Sequence, residues 1–146
     1  MAKPVVVNAS VSVKWVNPKE PLAHEAMLLL ADFQKRKLHI IVPLFWCYEI
    51  ANALRKAVSR GELTMSQAEM ALNALLNLPV EVRPTSDPMT AFKAALNFGC
   101  SIYDAFYLVL AADIGCELWT ADRRLYNVCS NRLTWVKWIG DYQSQP

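Results

Sequence analysis

The sequence has few of the residues on which nucleotide-binding and metal-stapled domains depend. It contains only four glycines, all isolated, so it has neither the glycine-rich turn of dinucleotide-binding folds nor a phosphate-binding P-loop. No two of its four cysteines are separated by two residues, and its two histidines have no cysteine nearby. These absences argue against a nucleotide cofactor and a structural zinc site, and we expect reduced, packed thiols.

Long apolar runs and a strong charge of one sign are also missing. The amino terminus carries one positive charge and a short apolar run, and no stretch approaches the roughly 18 apolar residues of a membrane span, so we expect no secretory signal and no membrane association. The 15 Lys and Arg residues are nearly balanced by 13 Asp and Glu residues spread along the chain. The sequence predicts a cytoplasmic protein without an extended basic surface for non-specific binding to nucleic acid.

What the chain does contain is an alternation of short strands and helices, which we interpret as a single domain over 1–146. The predicted strands cover 5–7, 39–42, 80–83, 117–120 and 133–139. The predicted helices cover 21–37, 44–60, 64–78, 88–98 and 102–114, with a helix start at Ser10 and a further helical turn over 121–125. Because parallel strands need crossover helices, this order predicts an α/β fold with a short-stranded parallel sheet covered on both faces.

Polar residues at helix starts support these boundaries. Thr64 with Gln67 has the spacing of a capping box, and either Ser86 or Asp87 can cap the helix that begins near Pro88. Ser101 precedes the most apolar helix of the chain. The basic run 35–37 is expected to close the first long helix, where cations suit the helix dipole.

Four polar residues are predicted to meet at one edge of the sheet. Asn8 follows the first strand and Asp122 follows the fourth, while Glu49 and Asp104 lie in helices among aromatic and apolar neighbours. A carboxylate in such surroundings is costly to bury without a partner. Carboxylates without His or Cys are the ligands of a hard cation such as Mg²⁺ or Mn²⁺, and such sites commonly cleave phosphodiesters.

Helical geometry sorts the neighbouring polar residues. Asn52 and Lys56 share the helix face of Glu49, whereas Asp113 lies about 180° away from Asp104 and is expected to be a solvated acid. Lys14 and Arg123 have two open interpretations: each either contacts phosphate or only covers apolar surface.

Four segments together resemble a known family. They are similar to the PIN domain, and most similar to the VapC-type toxins of toxin–antitoxin systems. No single motif is diagnostic, but the four occur in the family's order and spacing over nearly the whole chain. The segments are 5–15, 49–56, 101–108 and 120–125.

The resemblance implies a three-layer α/β/α PIN-like fold and a Mg²⁺- or Mn²⁺-dependent endoribonuclease that cleaves RNA. It also implies a homodimer that a cognate antitoxin holds inactive. The family's acids carry over to Glu49, Asp104 and Asp122, and the hydroxyls of Ser10 and Thr120 are implied to support the metal site.

Asn8 is the one serious departure, because the family's first acid falls on this position. An amide keeps the shape of a carboxylate but lacks its charge, so activity is expected to be weakened or lost. The change is either a deliberate inactivating substitution, which we favour, or a natural feature of a degenerate member. Two functional alternatives stay open: a non-catalytic PIN-fold binding module, and an RNA-processing PIN nuclease without an antitoxin.

Overall fold

A computed structural model describes residues 1–84 and 87–146 and shows five short strands alternating with seven α-helices. The strands are β1 (Lys3–Val7), β2 (Leu38–Pro43), β3 (Glu81–Arg83), β4 (Glu117–Thr120) and β5 (Val136–Trp138). The helices are α1 (Ala9–Ser12), α2 (Ala23–Gln34), α3 (Trp46–Ser59), α4 (Met65–Leu76), α5 (Pro88–Phe98), α6 (Ile102–Ile114) and α7 (Arg123–Cys129). Two 3-10 turns, Val13–Trp15 and Ile139–Asp141, complete the order.

The strands form one parallel sheet in the order β3-β2-β1-β4-β5. Successive β1 side chains alternate between two hydrophobic cores, with Val5 and Val7 in one and Val6 in the other. The first core contains α2 and α3 residues such as Leu29 and Ile50, and the second contains Tyr107 of α6. The predicted three-layer α/β/α fold is therefore confirmed, and burial on both faces explains the unbroken β-branched run.

The strand order reverses between β1 and β4. The chain adds β2 and then β3 on one side of β1, and afterwards adds β4 and β5 on the other side. Ligands of open α/β sheets bind at such a reversal, outside the carboxyl ends of the strands. The fold therefore places the ends of β1 and β4 side by side at the position where a binding crevice is expected.

Most helix boundaries agree with the predictions. Thr64 and Gln67 form the capping box of α4, and Ser101 caps α6 by accepting a hydrogen bond from the Asp104 amide. Asp87 caps α5 through the Met89 amide, while the alternative cap, Ser86, lies outside the described residues. These agreements arise because capping depends on residues within one helical turn.

Several boundary predictions were wrong: the last strand covers Val136–Trp138 rather than 133–139, and α7 covers Arg123–Cys129 rather than a single turn over 121–125. The helix α2 is shorter than 21–37, because Leu22 and Arg36 both adopt positive φ angles of 61° and end the helical geometry at each side. The basic residues 35–37 therefore lie in the turn leading to β2. The helix α1 begins at Ala9 rather than Ser10, because the Asn8 side chain caps it by accepting from the Ser10 amide.

Within the part of the chain that the structure describes, no single helix is long and apolar enough to cross a membrane. The helices α5 and α6 pass such a test only as a pair on length and composition, and they meet at a bend of 106°.

Candidate active site

The residues that follow β1 and β4 meet at the strand-order reversal. The Asn8 amide donates a hydrogen bond of 2.9 Å to the Trp119 carbonyl, which continues the pairing of the two strands past their ends. Asn8 Oδ1 accepts from the Ser10 amide at 2.9 Å, and Asp122 Oδ1 accepts from the Arg124 and Leu125 amides at 3.0 and 3.2 Å. Each strand-end residue therefore uses one side-chain oxygen to cap the next helix.

The second side-chain atom of these two residues differs in chemistry. Asp122 Oδ2 has no hydrogen bond to the described residues, 1–84 and 87–146, and can accept one or bind a cation. Asn8 has an NH₂ group in place of a second oxygen; this group is a donor and cannot bind a metal, so the side chain offers only the neutral carbonyl oxygen that already caps α1. Asn8 is also buried, with 6% of its surface exposed, so solvent does not compensate for the missing charge.

The hydroxyls of Ser10 and Thr120 shape the turn between β4 and α7. Ser10 Oγ accepts from the Ala121 amide at 3.0 Å, Thr120 Oγ1 accepts from the Asp122 amide at 3.0 Å, and the two oxygens are 3.4 Å apart. Thr120 is completely buried. Both hydroxyls thus hold the backbone of the acidic edge in place, and a role beside a metal stays a prediction.

Glu49 lies on the first turn of α3 and contacts a side chain from a distant part of the sequence. The Tyr107 hydroxyl donates to Glu49 Oε1 at 2.7 Å and accepts from the Ala9 amide at 3.3 Å. Burial raises the pKa of the Glu49 carboxyl above its usual range; the Tyr107 hydrogen bond lowers it, and the nearby charge of Asp104 raises it.

Asp104 connects Glu49 with Asp122 electrostatically. Burial raises the pKa of the Asp104 carboxyl, the charge of Asp122 raises it further, and the charge of Arg124 acts in the opposite direction. Asp104 and Asp122 also line one cavity of about 390 Å³. The cavity is bounded by Gly99, Cys100, Ser101, Asp104, Asp122, Arg124, Leu125 and Val128.

The structure thus brings the predicted acids close enough for their charges to interact, but their side chains do not converge on one point as metal ligands would. Among residues 1–84 and 87–146, no three His, Cys, Asp or Glu side chains lie close enough together to hold a metal ion. The donor chemistry nevertheless fits a hard divalent cation, because all the candidate ligands are oxygens and repulsion contributes to the raised pKa of Glu49 and of Asp104. A cation between these acids would relieve that repulsion.

The two basic residues considered from the sequence are engaged elsewhere. Lys14 is buried and its Nζ lies 3.4 Å from Glu20 Oε2, while the Arg123 guanidinium stacks on Trp138 at 3.8 Å from the ring centroid. Arg124 lines the acidic cavity instead. Its position two residues after Asp122 was the available signal, and sequence reasoning missed it.

Among the other residues that helical geometry sorted, Asp113 is solvated as expected, whereas the prediction that Asn52 and Lys56 share the face of Glu49 stays a prediction. Asp113 is exposed on α6, and Asn52 and Lys56 are exposed on α3, where Asn52 accepts a hydrogen bond from Arg55. Tyr107 is the second functional candidate that sequence reasoning missed. Its spacing of three residues from Asp104 was a signal, but its aromatic neighbours made it look like a core residue.

Comparison with known proteins assigns this arrangement to a family. Residues 5–131 match the PIN domain. The chain belongs to the PIN domain family. Within the family it is of the VapC type, since it is 38% identical over 124 residues to Ribonuclease VapC3 of Pyrobaculum aerophilum, an alignment covering 83% of this chain and 91% of that protein.

Solved PIN-domain structures agree with the fold. PAE2754 from Pyrobaculum aerophilum superposes with a TM-score of 0.68 at 25% identity, covering 88% of this chain and 81% of that one. VapBC2 from Rickettsia felis, solved with a DNA fragment from its promoter, superposes with a TM-score of 0.60 at 13% identity, covering 92% and 96%. At the latter identity the likeness concerns the fold alone.

Proposed function

We propose that this chain is a Mg²⁺- or Mn²⁺-dependent endoribonuclease toxin that a cognate antitoxin neutralises, with its activity weakened by Asn8. The observation that carries the proposal is the pair Asp104 and Asp122 in one cavity at the strand-order reversal, with Glu49 close enough to Asp104 for their charges to interact. The ribonuclease name of the 38% identical relative supports RNA as the substrate.

In this proposal Asp104, Asp122 and Glu49 hold the cation, and Asn8 occupies the position of a fourth ligand. A bound divalent cation supplies an activated water and stabilises charge on the attacked phosphate. Asp122 Oδ1 remains the cap of α7, so Oδ2 is its available ligand atom. Arg124 lies on the cavity wall, where its guanidinium can contact a phosphate oxygen of the RNA.

The same charges suggest how a partner inhibits the site. An antitoxin Arg offers a permanently charged planar fork that fits two carboxylate oxygens and competes with the metal. As part of the same proposal the protein acts in the cytoplasm as a homodimer. Support for a self-association surface comes from large apolar side chains that are exposed on α5, on α6 and around the start of α3: Leu44, Tyr48, Met89, Phe92, Leu96 and Tyr103.

A non-catalytic binding module is the second candidate function, and one observation favours it. The side-chain oxygen of Asn8 is neutral and already caps α1, and an NH₂ donor stands in place of a second oxygen. A pocket with this composition accepts a cationic side chain from a partner more readily than it completes a metal cage. An RNA-processing nuclease without an antitoxin has the same site chemistry, and a small open reading frame beside the gene would argue against it.

Restoring the missing acid tests the enzyme proposal. We expect the Asn8→Asp variant to cleave RNA in Mg²⁺ or Mn²⁺ at least about 10- to 100-fold faster than the parent chain, because position 8 gains both a charge and a second oxygen. Cleavage of a labelled RNA is measured over a metal titration, with EDTA as the blank. Equal rates for both chains at saturating metal would reject the role assigned to position 8, and inactivity of both would favour the binding module.

A further inference from the structure

Tyr107 is a buried core residue whose hydroxyl connects three elements of the site. It donates to Glu49 Oε1 on α3 at 2.7 Å and accepts from the Ala9 amide at the start of α1 at 3.3 Å. Tyr107 itself lies on α6, one turn after Asp104, and is completely buried. The hydroxyl therefore satisfies both its donor and its acceptor capacity with groups next to predicted ligands.

The ring that carries this hydroxyl is held rigidly. Tyr107 packs edge-on against Phe45, with ring centroids 5.6 Å apart and an interplanar angle of 86°. Phe45 is the residue that precedes α3, and its carbonyl accepts a hydrogen bond from the Glu49 amide at 3.1 Å. The backbone and the side chain of Glu49 are thus both tied to the Phe45–Tyr107 pair.

A glutamate needs such a restraint if it is to present one oxygen to a cation. Its side chain has several rotatable bonds, and ordering a flexible side chain at the moment of binding reduces affinity. The Tyr107 hydrogen bond engages Oε1 and leaves Oε2 as the oxygen that can bind a cation. Hydrogen bonds of this kind orient metal ligands in many proteins.

We propose that Tyr107 is a positioning residue that orients the Glu49 carboxylate for a divalent cation and ties it to the start of α1 beside position 8. This inference rests on the proposed metal-dependent function, because it assigns Glu49 to the cation. It differs from a purely structural role, in which the hydroxyl would only satisfy a buried amide and would not affect what Glu49 does.

Direct Mn²⁺ binding by the full-length Asn8→Asp chain tests the proposal without relying on activity. We expect Tyr107→Phe to weaken Mn²⁺ binding about 10-fold in isothermal titration, within the range found when the hydrogen-bonding partner of a metal ligand is removed. Tyr103→Phe is the matched control. Tyr103 lies on the same helix and packs against the same Phe45 ring, with the ring centroids 5.5 Å apart, but it is exposed. Removing its hydroxyl should therefore leave the Mn²⁺ affinity within about 2-fold of the Asn8→Asp value.

A double-mutant cycle separates positioning from general damage to the core. In a Glu49→Gln background, Tyr107→Phe should cause no further loss of Mn²⁺ affinity, because the residue through which it acts is already changed. Glu49→Asp is a second background for this test: its shorter side chain cannot keep its contact with the phenol, so Tyr107→Phe should again cause no further loss of Mn²⁺ affinity. Equal losses from Tyr107→Phe with and without Glu49 would overturn the proposal.

Metal-free crystal structures keep the inference testable if Mn²⁺ does not bind. We expect the Glu49 carboxylate to have one orientation in the parent and to leave it in Tyr107→Phe, while Tyr103→Phe keeps the parental orientation. An unchanged carboxylate in Tyr107→Phe would refute the positioning role. Absence of Mn²⁺ binding by both the parent and Asn8→Asp, with a displaced carboxylate in Tyr107→Phe, would instead refute the metal function and leave the positioning of Glu49 intact.

Discussion

Two carboxylates in this protein accept a short hydrogen bond from a tyrosine hydroxyl, and they lie in different regions. Glu49 receives its bond from Tyr107 at 2.7 Å at the carboxyl-end edge of the sheet. Asp32, on α2, receives one from Tyr142 at 2.6 Å and a second from the Gln145 amide at 2.8 Å. The Asp32 carbonyl also bonds the Lys37 amide just before β2, so this carboxylate lies near the opposite edge of the sheet.

The surroundings of the two carboxylates differ in charge. Asp32 is 1% exposed and attaches the carboxyl-terminal segment to α2, although its Oδ1 has no hydrogen-bond partner in the part of the chain that the structure describes. Glu49 is near Asp104, and Asp104 is near Asp122, so like charges contribute to raising the pKa of both Glu49 and Asp104. Asp32 has two donors on one oxygen and links the carboxyl-terminal segment to α2, whereas Glu49 belongs to a group of mutually repelling acids of the kind found at functional sites.

The largest effect that separates the two regions should be on activity. In the active Asn8→Asp background, Asp104→Asn is expected to reduce RNA cleavage at least about 100-fold, more than the loss typical of removing a ligand's partner, with little change in unfolding free energy. Asp113→Asn is the control, because Asp113 is exposed on the same helix and lies on the opposite face, about 180° round the helix axis from Asp104. Cleavage rates and urea unfolding are measured on both variants; a larger loss from Asp113→Asn would show that the wrong face of α6 has been assigned to the site.

The second effect should be on stability, and in the Asp32 region it should come without any effect on metal binding. Tyr142→Phe removes a buried hydrogen bond to a carboxylate and keeps the edge-on contact with Trp119 at 4.9 Å, so we expect the unfolding free energy to fall by about 2 kcal/mol. Mn²⁺ affinity should stay unchanged, in contrast to the expected effect of Tyr107→Phe. Urea unfolding and titration calorimetry on the pair check this, and a loss of Mn²⁺ binding in Tyr142→Phe would erase the distinction between the two regions.

The smallest effect concerns pH. Because the pKa of Glu49 is raised in the folded chain, ionising Glu49 is less favourable in the folded than in the unfolded state, so this group destabilises the fold above its folded pKa and not below its ordinary value of 4.5. Glu49→Gln should therefore shift the urea midpoint slightly upward at neutral pH, and the difference should vanish below pH 4.5. Glu69→Gln, on the exposed side of α4, is the control. A difference that grows on acidification would contradict the assigned direction of the shift.

Local chemistry explains how much of the fold could be predicted. The bounds of α6 and β4 agree with the sequence because Ser101, Gly115 and the short apolar run act within one turn or one strand. The termini of α2 did not agree, because Leu22 and Arg36 adopt a backbone conformation that neither residue type signals. Such conformations are imposed by the path of the chain between packed elements.

The candidate site also has residues that the sequence indicates and contacts that it does not. The acids at positions 49, 104 and 122 and the departure at Asn8 could be recognised from strand ends, helix phase and family resemblance. The burial of Lys14 against Glu20 and the stacking of Arg123 on Trp138 could not, because long basic side chains reach several alternative partners from one backbone position.

By itself, the sequence determined the order of strands and helices, most of the helix caps and the residue types at the strand ends, since each depends on neighbours a few positions away. Only the tertiary structure decided that β4 lies beside β1, that Asn8 is buried with its backbone amide bonded to the end of β4, and that Tyr107 contacts Glu49 across 58 residues. The physical reason is that a hydrogen bond between distant residues depends on how whole layers pack, and local patterns do not encode that geometry.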